Sequence, residues 1–394
     1  MPRRVALALI ASVGATSAAG AYGIPALELP DVYFAAAYGF LARSADVSTT
    51  FPYLSAFLDE ANHARGQSLS QSLDEAARRS SFSGMTLRVD ELAQLGPGKD
   101  SRVLALAFDN ETVTAEQIGQ TWKLLVELSF QALIFDFRSQ TVIGSFPFTV
   151  QYIDALTSLP DAAAINGVLQ HLVFGDQPTG LQAVFWNALT TATLPHQGAR
   201  TLAVTEVTVS EPAQATLAEL GVSATTLDML GHDFGKFFVA NQHVAILPYT
   251  GSQAVNGVMA EYVSNGTVYN LKVPAPDYAI SLRLDGLKKI QFAATTAGAV
   301  WVYGAFFTIR FFEPLSQHEF FNAQVKMGAN LTVPSSLGAV QDWPSYEEVI
   351  EQLFDEFTVA ISPADEAWGL KHLVTSDPIR PRMAPLKDLI DSCR

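Results

Sequence analysis

"DYAISLRLDGLKKIQF", residues 277–292, is the stretch whose reading decides the fold class. Tyr278, Ile280, Leu282 and Leu284 alternate with Ala279, Ser281, Arg283 and Asp285. A period of two puts alternate side chains on opposite faces of a pleated strand, so the segment reads as a strand with one apolar face. Slipping it by one residue would turn that whole face outward. "AVWVYGAFFTIRFF" (299–312) and "EFFNAQVKMG" (319–328) follow with turn residues between them, which predicts antiparallel neighbours.

Such a face needs a cover. In the segment 345–361, Tyr346, Val349, Ile350, Leu353, Phe354 and Phe357 recur at helical spacing, with Glu347, Glu348, Glu351 and Asp355 opposite. Asp342 or Ser345 caps this helix, Pro344 suits its first turn, and Ser345 with Glu348 makes a capping box. "AVWVYGAFFTIRFF" is apolar at both parities, which predicts cover on both faces, by the helix and by another domain or a partner chain.

Upstream, "RTLAVTEVTV" (200–209) and "HVAILPYT" (243–250) read as strands, and "TTLDMLGHDFGKFFVA" (225–240) as a helix. "GSQAVNGVMAEYV" (251–263) reads as a short helix. The order strand–helix–strand–helix–strand–strand–strand–helix over 200–361 is carried by "HVAILPYT", "DYAISLRL" and "VWVYGAFFTIRF". It resembles the small envelope α/β domain of the amino-terminal part of TolB and of the curli secretion channel protein CsgG. Those proteins act mostly as assembly and interaction modules of the cell envelope, so the resemblance implies a binding role. It transfers no functional residue.

Residues 22–98 are Ala-rich and predict a helical region, with helices in "AFLDEANHARGQSLSQSLDEAARR" broken at Gly66 and after Arg79. "LGPGKDS" (95–101) closes it as a turn. Next come a strand, "RVLALAF", a helix over 115–131 capped by Thr114 with Gln117, and an apolar strand, "ALIFDFR". Strand, helix, strand predicts a βαβ unit. "VIGSFPFTVQYIDAL" and the helix "DAAAINGVLQHLVF" complete this part. The expected class is α/β (α+β), with mixed sheets flanked by helices. The expected segments are 1–21, 22–98, 99–196, 197–365 and a surface tail at 366–394.

Residues 1–21 have the order of a secretory signal peptide. Arg3 and Arg4 precede the apolar run Val5–Ala15, and Ala19-Gly20-Ala21, or Ser17-Ala18-Ala19, offers a cleavage site. No run elsewhere reaches the ~18 apolar residues of a membrane helix, which predicts a periplasmic or secreted chain with no transmembrane anchor once processed.

The net charge is −15; removing two Arg with residues 1–21 leaves −15 − 2 = −17. An acidic chain without a basic run is a poor partner for nucleic acid and for anionic lipid. Cys393 is the one cysteine, so no internal disulfide exists. It reads as a bystander at a frayed end or an intermolecular link.

Motifs that carry chemistry are few. "LGPGKDS" lacks the spacing of a phosphate loop, and there is no G-x-G-x-x-G or G-x-S-x-G. No two His stand at i, i+2 or i, i+4, and His232-Asp233 reads as an exposed helix patch. No metal site or cofactor is expected. The candidate catalytic residues are Asp109, Glu111 and Asp136. If their strands were parallel neighbours, Asp109 and Asp136 would meet beyond the strand ends, and one would have a raised pKa; the structural alternative pairs Asp136 with Arg138 or Arg102. Trp301, Tyr303 and Phe307 are candidates for an apolar ligand groove, or core. Three functions stay open: a non-enzymatic envelope interaction or scaffold protein, with an envelope protein or a second copy as partner; a periplasmic binding protein for an apolar or small ligand; and a hydrolase using Asp109 and Asp136.

Overall fold

A computed structural model describes residues 29–41, 46–64, 66, 68–89, 102–190, 192–196, 198–222, 224–249, 258–262, 268–296, 298–334, 341–375 and 377–394. The signal-peptide reading (1–21), the "LGPGKDS" turn and the first seven residues of "GSQAVNGVMAEYV" lie outside these residues.

The chain is α/β, with two mixed sheets and helices packed on them. The larger sheet holds β1 (Asp31–Phe40), β2 (Thr86–Val89), β3 (Arg102–Ile118), β4 (Thr121–Asp136), β5 (Thr141–Leu156), β7 (Val258–Tyr262) and β8 (Val268–Lys272). Their order is β2-β1-β3-β4-β5-β8-β7. The smaller sheet holds β6 (Leu202–Val209), β9 (Tyr278–Thr295), β10 (Gly298–Phe312) and β11 (Glu319–Pro334), in the order β11-β10-β9-β6. The segment after His243 joins them: Ile246 bridges Ser145 of β5, and Leu247 bridges Ala203 of β6. It makes isolated bridges where the sequence predicted a strand, and "VMAEY" is strand β7 where it predicted a helix.

The βαβ unit is replaced by a long antiparallel hairpin. Ile118 pairs with Thr121 across a two-residue turn in which Gly119 has φ +64, a conformation that suits glycine in a tight hairpin loop. At helical spacing Ile118, Trp122 and Leu125 form a side. At strand spacing Leu124, Val126, Leu128 and Phe130 form a face that is wholly buried, and the burial of that face decides. β1 and β2 correct the expectation of a helical region at 22–98, which holds strands as well as helices. Val32 and Phe34 enter one core and Tyr33 the other, and a strand buried on both faces loses its alternation in sequence. The helices α2 (Pro52–Ala64) and α3 (Leu69–Ala77) fall where expected, the latter capped by Ser68. β1, β7 and β8 share a sheet with β3–β5, so the expected boundaries at 98/99 and 196/197 do not divide the structure into separate cores.

α4 (Ala162–Phe174) and α5 (Leu181–Thr190) cover one face of the larger sheet. α7 (Ala224–Gln242) lies between the two sheets. α6 (Glu211–Glu219) abuts β9. The smaller sheet follows the sequence reading. Ile280, Leu282 and Leu284 are buried, with Tyr303, Phe307, Ile309 and Phe311 beside them on β10. α8 (Trp343–Ile361) covers them, with Phe354 5.1 Å from Phe307 and Phe357 5.5 Å from Phe321 between ring centroids. This helix starts two residues early, and Asp342 does not cap it. Its carboxylate instead accepts from the Tyr303 hydroxyl and the Lys289 ammonium, both at 2.6 Å.

The other face of β10 departs from expectation. Val302, Phe306 and Phe312 are only half-buried. Their cover is local: Lys288 lies 5.1 Å above the Phe306 ring and Arg310 3.9 Å above that of Phe312, cations draped on aromatic faces. The expected tail is two helices, α9 (Glu366–His372) and α10 (Ile379–Asp391). Val374 and His372 bond to Gln324 and Lys326 of β11, closing that edge. Cys393 is buried near Arg200 and Asp277, its thiol pushed up to about 12 by burial.

Leu353 is fully buried in α8. Leu353→Ala is expected to cost about 2–5 kcal/mol in denaturant unfolding, as for a large-to-small core change. An unchanged midpoint would mean that the helix does not pin the sheet.

Candidate functional site

Two buried polar residues, Gln131 and His232, converge with Asp109 between β3, β4 and α7. β3 bulges at Asp109: the register passes from Phe108↔Phe130 to Asn110↔Ser129, and a bulge re-aims a side chain. α7 comes close because Gly231 and Gly235 face inward. A Cβ on Gly231 would stand 2.8 Å from the Tyr249 ring, and one on Gly235 2.8 Å from Ile246. The helix thereby sets His232 against the bulge. Its Nδ1 donates to Asp109 Oδ2 at 2.5 Å, and Gln131 Nε2 donates to the same oxygen at 2.7 Å.

His232 and Asp233 are 6% and 7% exposed, which corrects the exposed patch read from sequence. Burial alone would push the Asp109 carboxyl up. The charge and hydrogen bond of His232, with the bond from Gln131, hold it below the usual range. Burial would likewise lower His232, and Asp109 outweighs this and raises it. The product is a buried ion pair. An aspartate on Nδ1 leaves Nε2 as the working nitrogen of a catalytic dyad. Here His232 Nε2 and Gln131 Oε1 are buried and meet no hydrogen-bonding group of the described residues.

A second charged group lies along α7. Lys236 binds Asp233 at 3.2 Å and Glu351 of α8 at 3.3 Å, with Glu127 of β4 and Glu347 of α8 nearby. Burial, then the charge of Asp233, pushes Glu127 and Glu347 up to about 7. Their ordinary value is 4.5. Between those values the folded protein holds protons that the unfolded chain has released. Their stabilising contribution is therefore full below 4.5 and lost as pH rises through 7. His232, raised above 6.5, acts in the same direction. The melting temperature is expected to be higher near pH 5.5 than near pH 8, and Glu127→Gln with Glu347→Gln to flatten the difference. Equal or greater stability near pH 8 would contradict this.

The remaining candidates are spread out. Glu111 accepts from the backbone N–H groups of Tyr53 and Leu54 at 3.0 and 2.9 Å, at the start of α2. Asp136 accepts from the backbone N–H and hydroxyl of Ser139 at 2.7 and 2.8 Å, closing the turn before β5. β3 and β4 are antiparallel, with Asp136 opposite Arg102, so Asp109 and Asp136 lie at different heights on the hairpin and do not meet. Phe307 is fully buried, Tyr303 is bound to Asp342, and Trp301 lies under Lys289 at 4.5 Å. They are brought together as core and its rim. Among the described residues no three His, Cys, Asp or Glu side chains are placed to hold a metal ion. No helix among them is long and apolar enough to cross a membrane.

The sequence left two signals of the polar cluster unused. Gln131 interrupts the apolar run of β4, and a buried polar residue needs a partner. Gly231 and Gly235 stand one helical turn apart, as close packing requires.

Two surface features complete the inventory. A groove of about 330 Å³ between α4 and the ends of β4 and β5 is lined by Leu124, Leu156, Val168, Tyr152, Asp154 and His171. Beyond β6, the end of β9, the start of β10 and the end of β11 extend as an arm on which Ile290 is 59% and Phe292 75% exposed.

No protein-family model matches the chain, and no curated protein sequence matches it. Solved structures match parts of it at low similarity. A hypothetical protein from Chlamydia trachomatis has a TM-score of 0.26 and 10% identity, covering 41% of this chain and 96% of its own. A minor lipoprotein from Acinetobacter baumannii has a TM-score of 0.21 and 11% identity, covering 44% and 96%. A putative neuraminyllactose-binding hemagglutinin homolog from Helicobacter pylori has a TM-score of 0.23 and 10% identity, covering 48% and 92%.

Proposed function

We propose that the chain is an exported, non-enzymatic interaction protein of the cell envelope, with the β9–β10 arm as its contact surface. The arm carries the reading: large apolar side chains exposed on the end of the sheet, where β9, β10 and β11 run beyond β6, mark an interaction site rather than a core. The occupations of Asp109, Glu111 and Asp136 support it, since each is engaged in holding the fold together. The sequence resemblance of "DYAISLRL" and "VWVYGAFFTIRF" to envelope interaction modules supports it too, and the export part rests on the sequence of residues 1–21.

The test is capture of full-length protein from envelope extracts. An envelope component should be recovered reproducibly with the native protein and lost with Phe292→Asp. Recovery of nothing, or of the same set with both, would refute the reading. Export is checked separately by intact mass: the mature protein should begin near Ala19–Tyr22, and a form starting at Met1 would refute that part.

The groove favours a second reading, a small-ligand binding protein, since its volume lies at the low end for ligand sites of about 300–1,000 Å³. Thermal stabilisation by a small-molecule panel, abolished by Val168→Trp, would support it.

A further inference from the structure

The groove beside α4 sets a carboxylate into an otherwise apolar wall. On β5, Tyr152, Asp154 and Leu156 share the face turned to α4, while Ile153 between them points away and is 57% exposed. Asp154 stands in register with Leu124 of β4, which is buried. One carboxylate oxygen of Asp154 accepts from the Tyr152 hydroxyl at 3.1 Å, and the other from the Ala155 N–H at 2.7 Å. Each oxygen keeps a lone pair for a further donor. No Lys or Arg of the described residues forms an ion pair with Asp154, so its charge lines the groove without a counter-charge. From the helix side, the His171 ring stands edge-on to Tyr152 at 5.9 Å between centroids.

α4 leaves the room. Gly167 lies inside this helix, where glycine is less stable than alanine. Gly231 and Gly235 of α7 are required by close packing, but no atom stands within 4 Å of where a Cβ on Gly167 would be. The space that a side chain would take there is the groove, which Gly167 lines. Packing of the chain on itself therefore gives no reason for this glycine, and a ligand lying over the helix does.

We infer that the groove binds a primary ammonium ion carrying a short apolar group, with the ammonium on Asp154 and the apolar group over Leu124, Leu156 and Val168. The inference rests on the small-ligand reading of this groove and names the ligand's chemistry. An ammonium group supplies the donors that a carboxylate lacks. It is also attracted to the face of an aromatic ring such as that of Tyr152. The net charge of −15 draws cations to the surface and repels anions. A carboxylate or phosphate ligand would meet Asp154 as well as that field. A neutral ligand would fill the apolar part and leave Asp154 without a counter-charge. The volume of about 330 Å³ holds the apolar group to a single ring or a short chain.

Calorimetric titration of the purified full-length protein tests this, with phenethylamine as the probe and phenethyl alcohol and phenylacetate as its neutral and anionic counterparts. The amine should bind saturably, and about ten-fold or more tighter than either counterpart, the size of a charge-assisted hydrogen bond. Asp154→Asn keeps the shape of the side chain and should weaken the amine by about ten-fold, with phenethyl alcohol unchanged. Gly167→Leu should abolish binding without lowering the melting temperature, since leucine favours a helix more than glycine does. No saturable binding of the amine overturns the inference. If phenethyl alcohol or phenylacetate binds as tightly as the amine, and Gly167→Leu abolishes it, the ligand class is wrong and the small-ligand reading stands. Amine binding that survives Asp154→Asn or Gly167→Leu undiminished is attraction to the acidic surface at large, and also overturns the inference.

Discussion

Leu282→Asp is expected to abolish the cooperative unfolding transition. Leu282 is fully buried, in register with Ile309 on β10 and Val207 on β6. It therefore sits in the middle of the smaller sheet and beneath its helices. Removing the leucyl side chain alone costs about 2–5 kcal/mol. A carboxylate in its place has no cation within the apolar layer and adds a desolvation penalty of several kcal/mol, or is protonated at a similar cost. A domain has about 5–15 kcal/mol to lose, so the sum removes most or all of it. β9 also has no alternative register, because a one-residue slip would turn Ile280 and Leu284 outward with it. Circular dichroism on heating is the measurement. A sigmoidal transition at the native temperature would show that this face does not form the core.

What was legible in the sequence follows from where each segment lies relative to water. β9 has a wet face and a dry face, and so does α8, so both kept their periodicity and were readable. β1 over Val32–Phe34 and β4 over Leu128–Phe135 are dry on both faces, and an apolar run without alternation does not distinguish strand from helix. The β3–β4 hairpin was lost for a different reason: Leu124, Val126, Leu128 and Phe130 do alternate with Lys123, Glu127, Ser129 and Gln131, but Ile118, Trp122 and Leu125 also fit a helical side, although Gly119 marks the turn. Asp109 was expected to meet Asp136, one of the two having a raised pKa; it meets His232 instead, and its pKa is lowered. His232 lies 123 positions away on another element, and a bulge together with two inward glycines brings the two together. No local pattern encodes such a contact. The exposure of Ile290 and Phe292 was equally hidden, because it depends on where β6 ends relative to β9.

The Asp109–His232 pair gives the second large effect. Asp109→Ala is expected to cost about 3–5 kcal/mol, as for removing one partner of a buried ion pair, because the buried His232 loses its partner and must either carry an uncompensated charge or give up its proton. The sign of its pH dependence should also reverse. In the native protein Asp109 raises the His232 pKa above 6.5, so the stability His232 contributes is present below 6.5 and is lost as pH rises past the folded value. Without Asp109, burial is the dominant influence left, and it lowers the pKa. Protonation then favours the unfolded chain, and stability falls as pH drops below 6.5. Urea midpoints of native and variant protein at several pH values would show the two slopes with opposite signs near neutrality. The double change Asp109→Leu with His232→Leu separates a structural pair from a chemical one. Replacing both partners of a buried pair with apolar groups is often close to neutral for stability, so the double variant should recover most of the loss and still capture whatever the native arm captures. A double variant that is stable but no longer binds would place the pair in the functional machinery, and the interaction reading would then need a second site in the core as well as the arm.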